Sequence, residues 1–123
     1  MTQSTNRLGR IGEDLAVRHL EALGYRILAR NWRAAAADIR GEVDVVAADG
    51  STLVFCEVKS RRRSGCDDAF AAVNWSKQRQ LRRLAALYLT ALPVHTDVRF
   101  DVIAVAWPAT GGAADVQHIR EAF

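Results

Sequence analysis

Gly41-Glu-Val-Asp-Val-Val-Ala-Ala-Asp-Gly-Ser-Thr-Leu-Val-Phe-Cys-Glu-Val-Lys59 decides how the chain is read. Two runs rich in Val, Leu and Phe, 43–48 and 53–58, flank Asp49-Gly50, a strong hairpin signal. Glu42, Asp44, Glu57 and Lys59 interrupt these apolar runs. Ionised groups in such a place are costly unless they are paired or bind a cation. Two registers are open. A two-residue Asp49-Gly50 loop sets Asp44 opposite Phe55 and Glu42 opposite Glu57. A loop that also takes in Ser51 and Thr52 sets Asp44 opposite Glu57 and Glu42 opposite Lys59. Both put the four charged residues on one face, because strand side chains alternate with period two. Opposed β-carbons then lie roughly 4.5–5.5 Å apart, so the carboxylates repel one another, and a divalent cation would relieve them.

Working outward, residues 7–23 carry Leu8, Ile11, Leu15, Ala16, Leu20 and Leu23 at helical spacing, and Gly24 supplies the stop. Tyr25 to Ala29 reads as a short strand, and residues 34–40 as a loop or weak turn. Downstream, residues 60–68 form a basic, glycine-containing loop. A second helix is expected from Ser76, as N-cap, to Leu92, ended by Pro93. Leu81, Leu84, Ala85, Tyr88 and Leu92 form its apolar stripe. Val98 to Trp107 is a strong strand, and 116–123 a short closing element of unassigned type. A strand reached through a helical crossover runs parallel to its neighbour. We therefore expect an α/β fold, a mixed sheet flanked by helices, in the order α-β-β-β-α-β.

The 123 residues suit one domain, 1–123. No apolar run is long enough for a bilayer, no export signal opens the chain, and Cys56 and Cys66 have no zinc-type spacing. These features point to a cytoplasmic protein with reduced thiols and no membrane contact. The net charge is only +3, but residues 59–83 carry a net +6 and the remainder a net −3. The positive surplus, Lys59, Arg61, Arg62, Arg63, Lys77, Arg79, Arg82 and Arg83, thus follows directly on the acidic hairpin. A polyanion is the partner that this layout suits.

Asp44 with Glu57-Val58-Lys59 has the form Asp…Glu-x-Lys. Two carboxylates, with the Val58 carbonyl beside them, suit a hard cation such as Mg²⁺. A cation so held acidifies water for attack on a phosphodiester, and Lys59 could orient that water or neutralise developing charge. From position alone, Glu13 reads as a surface residue complementing the helix dipole.

The pattern resembles the PD-(D/E)xK nuclease superfamily, which includes Holliday-junction resolvases. More closely, the chain resembles the YraN family of small bacterial proteins with an endonuclease-like domain. The matching residues are Gly9-x-x-Gly12-Glu13-x-x-Ala16, Gly24-Tyr25-x-Ile27-Leu28, Asn31-Trp32-Arg33, Gly41-Glu42-Val43-Asp44, Leu53-Val54-Phe55-x-Glu57-Val58-Lys59-x-Arg61, Lys77 to Leu81, Arg99-Phe100-Asp101-Val102 and Ala122-Phe123. The resemblance implies a restriction-endonuclease-like (tRNA endonuclease-like) core. It also implies Asp44, Glu57, the Val58 carbonyl and Glu13 around Mg²⁺ or Mn²⁺, Lys59 as catalytic lysine, and Glu42 as a supporting neighbour. Relatives with resolvase-type activity dimerise, which adds a homodimer to the expectations without any feature of this sequence requiring it. Two departures stand out. The link from Arg33 to Gly41 is about four residues longer than the family pattern, a change loops tolerate, and Ala71 stands where a glutamate is expected.

Two functions compete. One is a metal-dependent nuclease acting on DNA, including branched or structured DNA, with the basic residues holding phosphates without reading sequence. The other is a nucleic-acid-binding module that keeps the fold without hydrolysis, which Ala71 favours. A purely structural Glu57–Lys59 pair explains Lys59 but not Asp44. A carboxylate-pair glycosidase fits the acids but not the basic surplus. Trp32 and Trp75 could stack on bases, although packing is the commoner role. Asp101 reads as a local structural residue, and His19, His95 and His118 as near-surface groups.

Overall fold

The computed structural model describes residues 2–35, 39–62, 73–92 and 95–123, with side chains from residue 7 onward. The elements are α1 (Thr2–Ala22), β1 (Arg26–Trp32), β2 (Val43–Asp49), β3 (Thr52–Arg62), α2 (Trp75–Leu89), β4 (Asp97–Trp107) and β5 (Asp115–Ile119). The strands form one sheet in the order β1-β2-β3-β4-β5. Among the described strands only the β3–β4 pair is parallel, as a crossover through α2 requires.

The two helices cover opposite faces. Ala16 and Leu20 of α1 pack with Val45, Ala47, Val54, Cys56, Ile103 and Val105. Leu81, Leu84 and Ala85 of α2 pack with Val46, Leu53, Phe55 and Phe100. β3 is therefore buried on both sides, which is why its sequence is a nearly unbroken apolar run. Cys56 is free and buried. Among the described residues no helix is long and apolar enough to cross a membrane.

α1 ends as expected. Gly24 adopts φ 91°, its N–H donates to the Glu21 carbonyl at 2.9 Å, and the Tyr25 N–H donates to that of Leu20 at 3.0 Å. This is the paired-bond pattern of a Schellman stop. The apolar stripe is narrower than its spacing predicts, since Ile11 and Leu23 are exposed. In α2 the N-cap is Asn74, not Ser76; its side chain accepts from the Lys77 N–H at 2.9 Å. Asn caps as well as Ser, so residue type alone did not choose between them. Pro93 lies outside the described residues, and α2 closes at Leu89.

The hairpin turns on Gly50-Ser51, with Asp49 paired to Thr52 and Ala48 to Leu53. Gly50 at φ 59° supplies the left-handed first position that a type II′ turn needs. Of the two registers open to the sequence, this is the one that sets Asp44 opposite Glu57. The closing element is β5, an edge strand antiparallel to β4; its five residues alternate half-buried with exposed. One irregularity lies in the opposite edge strand. β1 carries a bulge between Ile27 and Ala29, so Ile27 joins the α1-side core while Ala29, two residues on, joins the α2-side core. A bulge re-aims every side chain after it.

Candidate functional site

The register that pairs Val45 with Cys56 brings Asp44 opposite Glu57, at the end of β2 where the chain enters from Gly41, and Glu57 continues the row of Leu53 and Phe55 toward α2. Glu57 is only 4% exposed. Lys59 Nζ stands 3.6 Å from its Oε1, and Lys77 Nζ 3.6 Å from its Oε2. Neither distance is a hydrogen bond, and Oε2 is buried with no hydrogen-bond partner among the described residues. Asp44 Oδ2 accepts from the Val58 N–H at 2.8 Å. Burial first, then the charge of Glu57, pushes the Asp44 carboxyl up to about 7, with Glu13 adding to the rise and Lys77 opposing it. Sequence reasoning assigns Lys77 to phosphate binding only; its position on α2 brings it onto Glu57 as well.

Glu13 is held from the side. Its Oε1 accepts from Arg30 Nη2 at 3.3 Å and its Oε2 from Asn31 Nδ2 at 3.0 Å. The same Asn31 amide donates to Glu42 Oε1 at 3.3 Å, and Arg33 Nε to Glu42 Oε2 at 3.0 Å. Glu42 thus turns toward the end of β1, not toward Lys59. Asn31 sits at φ 51°, a region that asparagine visits more readily than most residues. Its joining of two carboxylates is not foreseeable from spacing; the only signal is its place in the Asn31-Trp32-Arg33 motif. α1 reaches this region because residue 12 is glycine: a β-carbon there would collide with Ser60 Oγ and lie 3.0 Å from Ser60 Cβ.

These residues form a neighbourhood, not a finished cage. Among the described residues no three His, Cys, Asp or Glu side chains converge as a metal site does. The charge of Glu57 acts on Asp44, while Glu13 is committed to Arg30 and Asn31. The unsatisfied Glu57 Oε2 and the elevated Asp44 are what a divalent cation would correct, so the donor set fits one in chemistry.

The basic residues divide. Arg62 is exposed and Arg61 half-buried at the end of β3, while Arg63, like Cys66 and Ala71, lies outside the described residues. Arg82 does not extend the basic stripe freely: its guanidinium lies over the rings of Phe100 and Phe123, at 5.1 and 5.7 Å from their centroids. Arg79 and Arg83 line a cavity of about 270 Å³ together with Ile39, Arg40, Ser76 and Gln80. Trp32 meets Tyr88 edge to face, whereas Trp75, at the start of α2, is 69% exposed.

A second polar cluster lies in the sheet. Asp101 is completely buried. Its Oδ1 accepts from Arg99 Nε and the Glu121 N–H, and its Oδ2 from Arg99 Nη2 and His118 Nε2, at 2.7–3.1 Å. Arg99 also donates to Asp49 Oδ2 at 2.8 Å and to the Tyr25 hydroxyl at 2.6 Å. His118 shares a hydrogen bond with His19 at 3.1 Å. The near-surface expectation therefore fails for the His118 side chain, which is buried against Asp101, and holds for exposed His95. Arg99 and Asp101, two apart in an apolar strand, must share a face. That spacing was the available signal.

Comparison with known proteins agrees with the motifs. The model of the uncharacterised protein family UPF0102 matches residues 12–105. A UPF0102 protein of Frankia casuarinae is 48% identical over 122 residues, covering 98% of this chain and 99% of that protein. One from Acidothermus cellulolyticus is 42% identical, covering 94% and 92%. One from Rhodococcus opacus is 45% identical, covering 94% and 95%.

Proposed function

The chain belongs to the uncharacterised protein family UPF0102, the family of YraN, and from the site it carries we propose that it is a metal-dependent nuclease of the PD-(D/E)xK type, with a restriction-endonuclease-like core, acting on DNA phosphodiesters. The observation that carries this reading is Glu57: a buried carboxylate with one oxygen unsatisfied among the described residues, beside an Asp44 whose proton affinity is raised. Ordinary structural carboxylates are hydrogen-bonded when buried, and a site tuned away from its ordinary pKa is a functional candidate.

In this reading Asp44, Glu57 and the Val58 carbonyl hold Mg²⁺ or Mn²⁺, and Glu13 adds a carboxylate at its margin. When bound, the cation supplies charge neutralisation and a more acidic water. Lys59, kept close by Glu57, orients the attacking water or offsets negative charge growing on the phosphate. Lys77 balances the acids from α2. Arg61 and Arg62 hold the backbone and read no sequence.

One observation favours the binding-only alternative. Lys59 and Lys77 both stand beside Glu57, and two ammonium groups can balance two carboxylates with no metal. The test is cleavage of duplex, single-stranded, flap and four-way DNA with Mg²⁺ or Mn²⁺. We expect Glu57→Ala and Lys59→Ala each to lower the rate by about 100-fold or more, the scale of losing a charge-stabilising group. Cleavage that persists in both variants would sink the nuclease reading. Binding without cleavage by the wild type would favour the module.

A further inference from the structure

Ser76, Arg79, Gln80 and Arg83 fall at i, i+3, i+4 and i+7 of α2, so they form one continuous stripe. Lys77 begins the adjacent stripe, which continues inward through Leu81 and Leu84. Opposite the first stripe, the segment before β2 contributes Ile39 and Arg40, and the two sides line an open cavity of about 270 Å³. Three guanidinium-bearing residues therefore face one small space, and none of Arg40, Arg79 and Arg83 makes an ion pair among the described residues. Like charges collected without a counter-charge are unfavourable, and an anion between them removes the repulsion. Guanidinium forks match phosphate oxygens two at a time.

The arginines are not a chance meeting of flexible side chains. Gln80 Nε2 donates to the Arg40 carbonyl at 2.7 Å, which fastens the backbone at residue 40 to α2. Gly41, next in the chain, takes φ 94° and lies so close that a β-carbon there would collide with the Gln80 amide. The backbone is thus built to bring Arg40 against the helix.

We propose that Arg40, Arg79 and Arg83 form a phosphate-binding pocket, distinct from the Asp44–Glu57 site, that anchors a second phosphate of the nucleic-acid strand. The proposal rests on the polyanion-binding part of the function above, and Lys77 places the pocket one helical stripe from the acids. The phosphate is either an internal phosphodiester or a terminal phosphomonoester. Arg82, spent on its two rings, has no part in it.

Binding is measured by fluorescence anisotropy on the full chain without divalent metal. The probes are single strands of one sequence, with a 5′-phosphate or a 5′-hydroxyl. We expect Arg79→Gln/Arg83→Gln to weaken binding about tenfold or more and to flatten the slope of log K against log salt by about 1. Arg18→Gln/Arg26→Gln removes equal charge from exposed positions elsewhere and should change neither quantity as much. Equal weakening on both strands assigns the pocket to an internal phosphodiester. Weakening confined to the phosphorylated strand assigns it to a terminal phosphate. A pocket variant that matches the Arg18/Arg26 variant while the wild type binds overturns this proposal alone. A wild type that binds neither strand overturns it together with the proposed function.

Discussion

Asp101 and Glu57 are buried carboxylates on adjacent, parallel strands, one register step apart: Cys56 pairs with Asp101 and Glu57 with Val102. That step turns them to opposite faces, and their surroundings differ just as much. Four donors satisfy Asp101. Burial alone would raise its pKa, but the bonds from His118, Arg99 and the Glu121 amide outweigh burial and hold it at about 2. On the other face, Glu57 has an oxygen with no hydrogen bond among the described residues and two lysines at 3.6 Å, and its neighbour Asp44 is pushed up to about 7. The same sheet therefore builds one cluster whose polar needs are met and one whose needs are left open. Burial of charge is common to both clusters; incomplete satisfaction is what separates them.

The hardest blow to this contrast would come from Arg99. Removing one partner of a buried ion pair strands the other, at about 3–5 kcal/mol. Arg99→Ala should therefore lower the unfolding free energy in urea by about that amount, while Glu57→Gln changes it by less than about 1 kcal/mol, since an unsatisfied carboxylate has little to lose. Equal losses in the two variants would mean that both clusters are structural.

A smaller effect separates the two acids by pH. Asp44 binds its proton more tightly folded, at about 7, than at its ordinary 3.8. The stability from that proton is complete below about 4 and lost as pH rises through about 7. Asp101 works the other way. Its contribution is present above its ordinary 3.8 and lost as pH falls toward about 2. Metal-free wild type should lose on the order of 2–3 kcal/mol between pH 5 and 8 relative to Asp44→Asn, with millimolar Mg²⁺ reducing that loss. An identical slope in wild type and Asp44→Asn would remove the reason for placing a cation there.

Much of the fold was legible because local rules and packing agreed. The hairpin, the glycine stop of α1 and the parallel β3–β4 pair follow from alternation, turn chemistry and crossover geometry. The register that sets Asp44 opposite Glu57 was one of the two that the hairpin left open, although Gly50-Ser51 makes its tip; Glu42, expected on the same face as Asp44, Glu57 and Lys59, turns instead to Asn31 and Arg33. What escaped was decided over long range or by a single inserted residue. β5 is a short edge strand whose polar alternation resembles a loop. The Asn74 cap and the Ser76 cap are equal in propensity. His118 is buried by Asp101, seventeen residues away, and periodicity cannot see that. The β1 bulge changes which face later side chains meet, and nothing in Ile27-Leu28-Ala29 announces it.

The smallest expected effect belongs to that bulge. After it, Arg30 binds Glu13 and Asp14 of α1, and Asn31 ties Glu13 and Glu42 together. If Glu13 serves the open cluster, its position depends on Asn31, whose left-handed backbone would suit glycine as well. Asn31→Gly keeps that backbone and deletes only the amide bridge, so stability should change by less than about 1 kcal/mol, since glycine tolerates this conformation. Cleavage should nevertheless fall, by about tenfold, because a misplaced carboxylate costs rate more than stability. Glu13→Gln should fall at least as far, and adding Asn31→Gly to it should cost little more, since residues acting through one group are not additive. Independent, additive losses would place Asn31 and Glu13 on separate tasks, and Glu13 would return to being a helix-surface residue held by Arg30.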